Sequence, residues 1–325
     1  MMVRIQNFGR NIHFQPSNHH LPKTGKEVLA ILRANQGRGI RTIGRLHSWS
    51  ETLKTKDVLL DLRHLDSVQI YEKDGQSLVT IGAGCQIKQA INALDTVGLA
   101  LPTQGLITEQ TIAGAISTGT HGSGKHSLSH YVMALTIATY DPQTGKPVIR
   151  KICHGTELQA ARCSLGCMGV ILSVTLPCQP QYLVEEHFRF YGSVEQVLDT
   201  EQDFPIQQIF LLPHIWKFMA QHRRTIETRR SLLAPIFHVY WFLVIDLGLH
   251  LILLGMTRLI RSRSLIRFFY RQIVPKTILR EWKVIDKSQH MLTMEHELFR
   301  HIEIEVFVKR SRLGKLLEFV RSLLI

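Results

Sequence analysis

No CxxC pair occurs in this chain, and no cysteine follows Cys178. Its five cysteines, Cys85, Cys153, Cys163, Cys167 and Cys178, leave one unmatched under any pairing. A reducing compartment is the simplest setting. Cys163 and Cys167 stand one helical turn apart without a histidine or a second pair beside them, so no metal site is expected there. A GxSxG nucleophile elbow is absent. The run His296-Glu297-Leu298-Phe299-Arg300-His301 approaches a zinc-protease motif, but its second histidine comes one residue late. Positions i and i+5 diverge on a helix, so the two rings cannot meet on one ion. Internal repeats and low-complexity segments are missing too. The opening MMVRIQNFGRNIHFQP lacks an apolar core, so no secretory signal is expected. Acidic residues are scarce, 26 against 39 Lys and Arg, which leaves a net charge of +13.

What the chain does have is a ribbon from which bulk is removed at intervals. Gly105 to Gly124 reads GLITEQTIAGAISTGTHGSG. Gly114, Gly119, Gly122 and Gly124 permit positive φ and close approach, while Ala113, Ala115, Ser117, Thr118 and Thr120 stay short and add hydroxyls. Successive unencumbered N–H groups can ring a diphosphate, so a large flat ligand carrying phosphate is expected here. The plainer alternative is a turn where two elements pack closely. Two nucleotide motifs are imitated and fail. Gly119 to Lys125 has the glycine and lysine spacing of a P-loop, yet His126 stands where Ser or Thr must hold magnesium. Gly82-Ala83-Gly84 begins like a dinucleotide fingerprint, yet Ile87 occupies the third glycine position.

The ribbon has company. Upstream run Ile43-Gly44-Arg45-Leu46-His47-Ser48-Trp49-Ser50, then Leu59-Leu60-Asp61-Leu62, then Val79-Thr80-Ile81-Gly82-Ala83-Gly84, and downstream runs SLGCMGVILSVTL from Ser164 to Leu176. In this order they resemble the FAD-linked sugar-1,4-lactone and alditol oxidases, a branch of the vanillyl-alcohol-oxidase type flavoproteins that includes the gulonolactone, arabinonolactone and galactonolactone enzymes. The resemblance runs from about Asn7 to the C-terminus. It is close in the first half and loose in the second.

That resemblance implies an α+β fold: a PCMH-type two-subdomain FAD-binding domain over 1–178, then an incomplete α+β substrate (cap) domain over 179–325 with an apolar helical insertion at about 231–257. It implies FAD as cofactor. Gly44, Arg45, Leu46, His47 and Ser48 would grip the pyrophosphate together with Thr111, Ile112, Gly114, Ala115, Thr118, Gly119, Thr120, His121 and Gly122. Gly169, Val170 and Ile171 would lie by the adenosine half. His47 stands where many members bond covalently to the flavin 8α-methyl, although a plain hydrogen-bonding loop histidine is the alternative. Arg45 and Leu46 depart from the usual small pair before that histidine. If the loop needs positive φ at Leu46, the strain is about 1 kcal/mol or more and must be offset by packing or by the arginine's charge. A solvent-facing Arg45 is an equal reading.

The basic excess is local. Between Lys217 and Arg280 stand twelve Lys/Arg against two Asp/Glu, around the apolar run Leu232 to Met256. Without any nucleic-acid motif, this reads as a partner for anionic lipid headgroups rather than for nucleic acid. The run is long enough to cross a bilayer, but Asp246 would cost roughly 2.5–3.5 kcal/mol near its centre, and both flanks are basic. A helix or helical hairpin in the interface is preferred to a buried helix of the substrate domain and to a true span. The expected location is the cytoplasmic side of a membrane.

Along the chain, a helix is expected over Lys26–Asn35 and another over Ile87–Val97. Strands are expected at Arg41–Ile43, Val58–Asp61, Ser67–Tyr71 and Leu78–Ile81. A hairpin joins Val132–Tyr140 to Val148–Cys153, a short helix begins at Glu157, and Gly169–Leu176 closes the domain. Beyond Pro177 and Pro180, strands are expected at Tyr182–Phe190, Gln207–Leu212 and His301–Val308, and a helix at Arg312–Leu324. The end on Leu323-Leu324-Ile325 suggests a truncated chain. The family's Glu-x-Arg and His-Trp-Gly-Lys segments are not found, and Glu303-Ile304-Glu305 lacks the arginine. No catalytic base is identifiable; His121 is more readily a loop brace. The expected reaction is hydride transfer from a CH–OH carbon of an aldonolactone or polyol, most like that of D-arabinono-1,4-lactone oxidase, with oxygen or another acceptor reoxidising the flavin. The rival reading is a membrane-associated FAD-binding fragment or pseudo-oxidase without turnover.

Overall fold

Short parallel strands open the fold. In the computed structural model, which describes residues 3–256, 258, 262–294 and 304–324, β1 (Asn18–His20), β2 (Ile40–Ile43) and β3 (Val58–Asp61) form a sheet with β3 in the middle. All four residues of β3 are buried, as a parallel strand covered on both faces requires. Between β1 and β2 runs α1 (Gly25–Ala34). Its start is fixed reciprocally: Thr24 accepts the Glu27 N–H at 3.2 Å, and the Glu27 carboxylate accepts the Lys23 N–H at 2.9 Å. Val28 and Leu32, one turn apart, bury its inner stripe.

An antiparallel sheet follows, made of β4 (Val68–Lys73), β5 (Gln76–Gly82), β6 (Ala134–Tyr140), β7 (Pro147–Ile152) and β8 (Val170–Pro177), in the order β7-β6-β8-β5-β4. Asp74 and Gly75 turn β4 into β5 with φ of 51° and 74°, the primed turn that suits strand twist. Three helices pack with this sheet into one core. α2 (Ile87–Asp95) buries Ile87, Ala90, Ile91 and Leu94, and α3 (Ile112–Ser117) buries Ile112, Ala113, Ala115 and Ile116; α4 (Gly155–Ala161) adds Leu158 and Ala161. Every element expected between 26 and 176 is present, with ends displaced by two residues or fewer.

Contacts divide the chain into two compact units. One is Met1–Gln181 with Ser288–His296, the other Tyr182–Lys287 with Glu297–Ile325. The second is built on β9 (Leu183–Tyr191), β10 (Gln208–Leu212), β11 (Lys217–Ile226) and β12 (Val284–Lys287), an antiparallel sheet in the order β10-β11-β9-β12, with the short α5 (Val194–Leu198) after β9. Sequence reading finds β9 and β10 and misses β11 and β12. The charges of β11 mimic a solvated basic stretch, but Arg223 faces Glu186 across the sheet at 2.6 Å, with the two side chains 6% and 4% exposed. Arg224 pairs with Glu185 in the next register at 3.0 Å.

The expected strand His301–Val308 is not found where the chain is described. Residues 301–303 lie outside the described residues, as do the near-zinc motif and Glu303, and 304–309 belong to no strand. Ile304, Val306 and Phe307 are exposed, and 304–309 pair with no strand among the described residues. Both sides of β9 are already taken, by β11 and β12. The apolar run forms α6 (Ala234–Gly255), followed by α7 (Arg263–Phe268) and further helical turns to Thr277; α8 (Leu313–Leu324) is described last. Only 6% of the most apolar window of α6 is buried among the described residues.

Candidate flavin site

The glycine ribbon is partly a helix with one bare side. α3 buries its four apolar residues and leaves Gly114 and Thr118, one turn apart, on the open face. The Thr118 hydroxyl donates back to the Gly114 carbonyl at 3.2 Å and so lies flat on the helix. Ala115 carbonyl accepts the Thr120 N–H at 3.0 Å, which curls the chain back after the helix. Of the four glycines singled out, Gly119 and Gly124 adopt positive φ, at 78° and 61°. Gly122 serves close approach instead: a Cβ there would sit 2.3 Å from the Gln104 carbonyl oxygen. Gly114 is plain helix.

The upstream loop touches this ribbon. A Cβ on Gly44 would stand 2.1 Å from Thr111 Oγ1 and 2.8 Å from its Cγ2. Thr111 is itself buried, and its hydroxyl caps α3 by accepting the Gly114 N–H at 3.4 Å. Leu46 does adopt the left-handed backbone, φ 59°. Packing offsets the strain: its side chain lies against the cluster of Ile5, Ile12, Ile43, Leu53 and Leu59, and its carbonyl accepts the Phe8 N–H at 2.8 Å. His47 stacks on Phe8 with ring centroids 4.8 Å apart. Ser48 bonds Ser50 through its hydroxyl, and Arg45 is exposed.

The third segment arrives from the other side. Cys163 Sγ donates to the Ser117 carbonyl and lies 3.6 Å from where a Cβ on Gly119 would be. Gly169, just before β8, has φ 131° and lies beside the Ala138 carbonyl. Val170 and Ile171 point into the core, so only their backbone is available to a ligand. His121 Nδ1 lies 3.2 Å from the Gly122 carbonyl, the loop-brace geometry. Packing alone accounts for Gly82 and Gly84: a Cβ on either would strike the Leu65 or Leu62 carbonyl.

Sequence reasoning misses a set of buried polar side chains around the ribbon. Thr103, Gln104 and Glu109 are 2%, 4% and 5% exposed. Thr103 Oγ1, Gln104 Oε1 and both Glu109 carboxyl oxygens have no hydrogen-bond partner among the described residues. Native chains rarely leave such groups unmatched. The signal in sequence was faint: five polar residues in the short segment LPTQGLITEQ.

Bare backbone, contacts that forbid a Cβ and unmatched buried acceptors together fit a cofactor with phosphates and hydroxyls, and FAD has both. Residues 16–144 match the model of the FAD binding domain family. The chain is 47% identical over 319 residues to a long-chain alcohol oxidase of an uncultured marine euryarchaeote, covering 98% of this chain and 67% of that protein. It is 35% identical over 195 residues to a D-arabinono-1,4-lactone oxidase of Eremothecium gossypii, covering 58% of this chain and 35% of that protein. Among solved structures, a solvent-stable cholesterol oxidase superposes with a TM-score of 0.70 at 18% identity, over 91% of this chain and 63% of that one. At that identity the likeness concerns the fold alone. The architecture is that of the PCMH-type FAD-binding oxidases. The chain belongs to the FAD-dependent alcohol and aldonolactone oxidase family, and its cofactor is FAD. It spans about two thirds of the euryarchaeal relative and about a third of the lactone oxidase.

Proposed function

We propose that this chain forms the FAD-binding part of an oxidase that converts a CH–OH group to a carbonyl, with a long-chain alcohol as substrate. The observation carrying the substrate class is the extent of likeness: the long-chain alcohol oxidase aligns through nearly the whole chain, the lactone oxidase over little more than half. When bound, FAD accepts the hydride of the alcohol carbon. Gly44 and the open face of α3, with Gly114 and Thr118 outermost, would hold the pyrophosphate, aided by Arg45, Ser48, Gly119, Thr120 and Gly122. Gly169 to Ile171 would bind the adenosine half through backbone. His47 would be the covalent attachment point. A sugar lactone or alditol, most like D-arabinono-1,4-lactone, is the second reading, favoured by the ribbon motif itself.

Anaerobic addition of a long-chain alcohol to the yellow protein is expected to bleach its visible flavin band, while arabinonolactone, gulonolactone and xylitol leave it. Bleaching by a lactone alone transfers the assignment to the second reading. A flavin that stays oxidised with every donor leaves FAD binding without turnover. Acid precipitation of the same protein reports on His47: colour in the pellet means a covalent bond, lost in His47→Ala.

The reading extends to a membrane surface on the cytoplasmic side. α6 is rooted in the second unit through Phe237, Trp241 and Trp282, with Trp241 stacked on Phe188 at 5.0 Å. Arg230 and His238 both pair with the buried Asp286, at 2.6 and 2.8 Å. Beyond the root, Ile236, Val239, Phe242, Leu243 and Leu251 are exposed, as are Arg229, Arg258, Arg263, Arg267, Arg271 and Lys276. β9 before this excursion pairs with β12 after it, Glu186 opposite Val284, so both ends return to one sheet. An odd number of crossings is then impossible. A return crossing by α7 would put several arginines in hydrocarbon at roughly 2.5–3.5 kcal/mol each. A helix lying in the interface meets neither objection.

Asp246 gives this surface a pH dependence. Burial raises its carboxyl to about 6. The folded helix holds that proton more tightly than an unfolded chain, so the neutral form is favoured from the ordinary carboxyl value up to about 6 and lost above it. Sedimentation with phosphatidylserine vesicles is expected to retain several-fold more protein at pH 5 than at pH 7, with the difference abolished in Asp246→Asn. Retention should fall with salt and be weak on phosphatidylcholine. Protein that stays in the supernatant with both lipids at either pH sinks the membrane reading.

A further inference from the structure

We propose that Glu109 positions the flavin half of FAD, its carboxyl accepting a hydrogen bond from a ribityl hydroxyl or from the ring N3–H. The inference rests on the FAD reading above and assigns a residue that reading does not include. Glu109 is 5% exposed, and neither carboxyl oxygen meets water or a donor among the described residues. An acceptor buried in this way forfeits hydration without replacement, a cost proteins seldom tolerate unless a ligand supplies the missing donor. The backbone on either side cannot turn the side chain outward. Thr108 accepts the Lys88 N–H at 3.0 Å, Glu109 the Gln86 side-chain amide at 2.9 Å, and Gln110 the Ile87 N–H at 2.9 Å. The Gln110 side chain is occupied by the Thr120 hydroxyl. Two residues on, Thr111 fills the contact with Gly44.

Glu109 thus lies in the ribbon itself, its backbone pinned to Gln86, two residues before the Thr111 that meets Gly44. The segment just before it holds two more unmatched buried acceptors: Thr103, whose Oγ1 lies 3.3 Å from where a Cβ on Gly122 would be, and Gln104, whose Nε2 donates to Ser288 at 3.1 Å while its Oε1 is unmatched. Donor chemistry then selects the part of FAD. The pyrophosphate offers no donor and would repel a carboxylate. Ribityl hydroxyls and the ring N3–H are donors. A group held rigid before the cofactor arrives would fix the ring's orientation.

Apoprotein from riboflavin-starved cells can be titrated with FAD by fluorescence quenching, beside thermal melting of the same apoprotein. Glu109→Leu is expected to bind FAD at least tenfold more weakly, while ADP, which lacks the flavin half, binds within twofold of the parent. Its apoprotein should melt no lower than the parent, because an unmatched acceptor has been removed. Glu109→Gln, which keeps an acceptor, should lose less than threefold. N3-methylated FAD identifies the donor: weaker binding to the parent chain points to the ring N–H, equal binding to the ribityl hydroxyls. Undiminished FAD affinity in Glu109→Leu overturns the assignment, as does a loss shared equally by ADP or matched by a fall in apoprotein melting. A parent chain that takes up no FAD overturns both this inference and the reading beneath it.

Discussion

Gly44→Ala is expected to leave the chain colourless, with the ratio of visible flavin to protein absorbance reduced at least tenfold. The new Cβ would stand 2.1 Å from Thr111 Oγ1, 2.8 Å from Cγ2 and 3.0 Å from Cβ. Rotation of Thr111 cannot relieve the last contact, because a Cβ does not move with χ1. The backbone of the loop at 44–48 or of the α3 start must shift instead. Overpacking of this kind costs about 1–3 kcal/mol, and the shift falls where the cofactor's phosphates are expected. Adding Thr111→Ala removes the two shorter contacts and should restore part of the thermal stability and part of the colour. Full colour and unchanged melting in Gly44→Ala would show that the close approach is dispensable.

Close approach was legible in the chain because only a few residue types permit it. The ribbon from Gly105 to Gly124 announces close approach, and Gly122 meets the Gln104 carbonyl as expected, while Gly44 makes room for the Thr111 side chain. Leu46 was legible as strain: a leucine at a position needing positive φ must be held by its neighbours, and Ile5, Ile12, Ile43, Leu53 and Leu59 hold it. The acceptors Thr103, Gln104 and Glu109 were not legible. Whether a polar side chain is buried and unmatched depends on chain segments far away in sequence, and in Gln104 the settling partner is Ser288. Composition along a short segment carries no trace of that.

The second half was harder for a related reason. A strand is read from alternation between apolar and polar positions, and β11, KFMAQHRRTI, shows none: it is buried without break from Phe218 to Arg223, and reads as a strand only if Gln221, His222 and Arg223 count as interior. They do: His222 is fully buried, its Nε2 2.8 Å from the Tyr191 hydroxyl, and burial pushes its imidazole down to about 4. In 304–308 the reverse holds, since the segment alternates yet joins no sheet among the described residues. Pairing decides both cases, and pairing is a long-range property.

The same buried charges make Arg223→Met the most damaging change expected in the second unit, at about 3–5 kcal/mol. Arg223 and Glu186 face each other on adjacent strands with almost no exposure. Removing the arginine leaves a carboxylate in the sheet with its hydration already lost. Removing both partners is a different matter: Arg223→Met with Glu186→Leu replaces the pair by apolar groups of similar size and should recover most of the loss, and can exceed the parent. Urea or thermal melting of the two variants separates the cases, and a single variant losing under 1 kcal/mol would mean that water reaches the pair. Damage should spread to the root of α6. Glu186 and Phe188 lie two residues apart on one face of β9, and Trp241 stacks on Phe188. Tryptophan emission should therefore shift to the red in Arg223→Met before global unfolding, and vesicle binding through α6 should weaken in parallel. The buried pair thus acts on the exposed apolar surface through the strand they share.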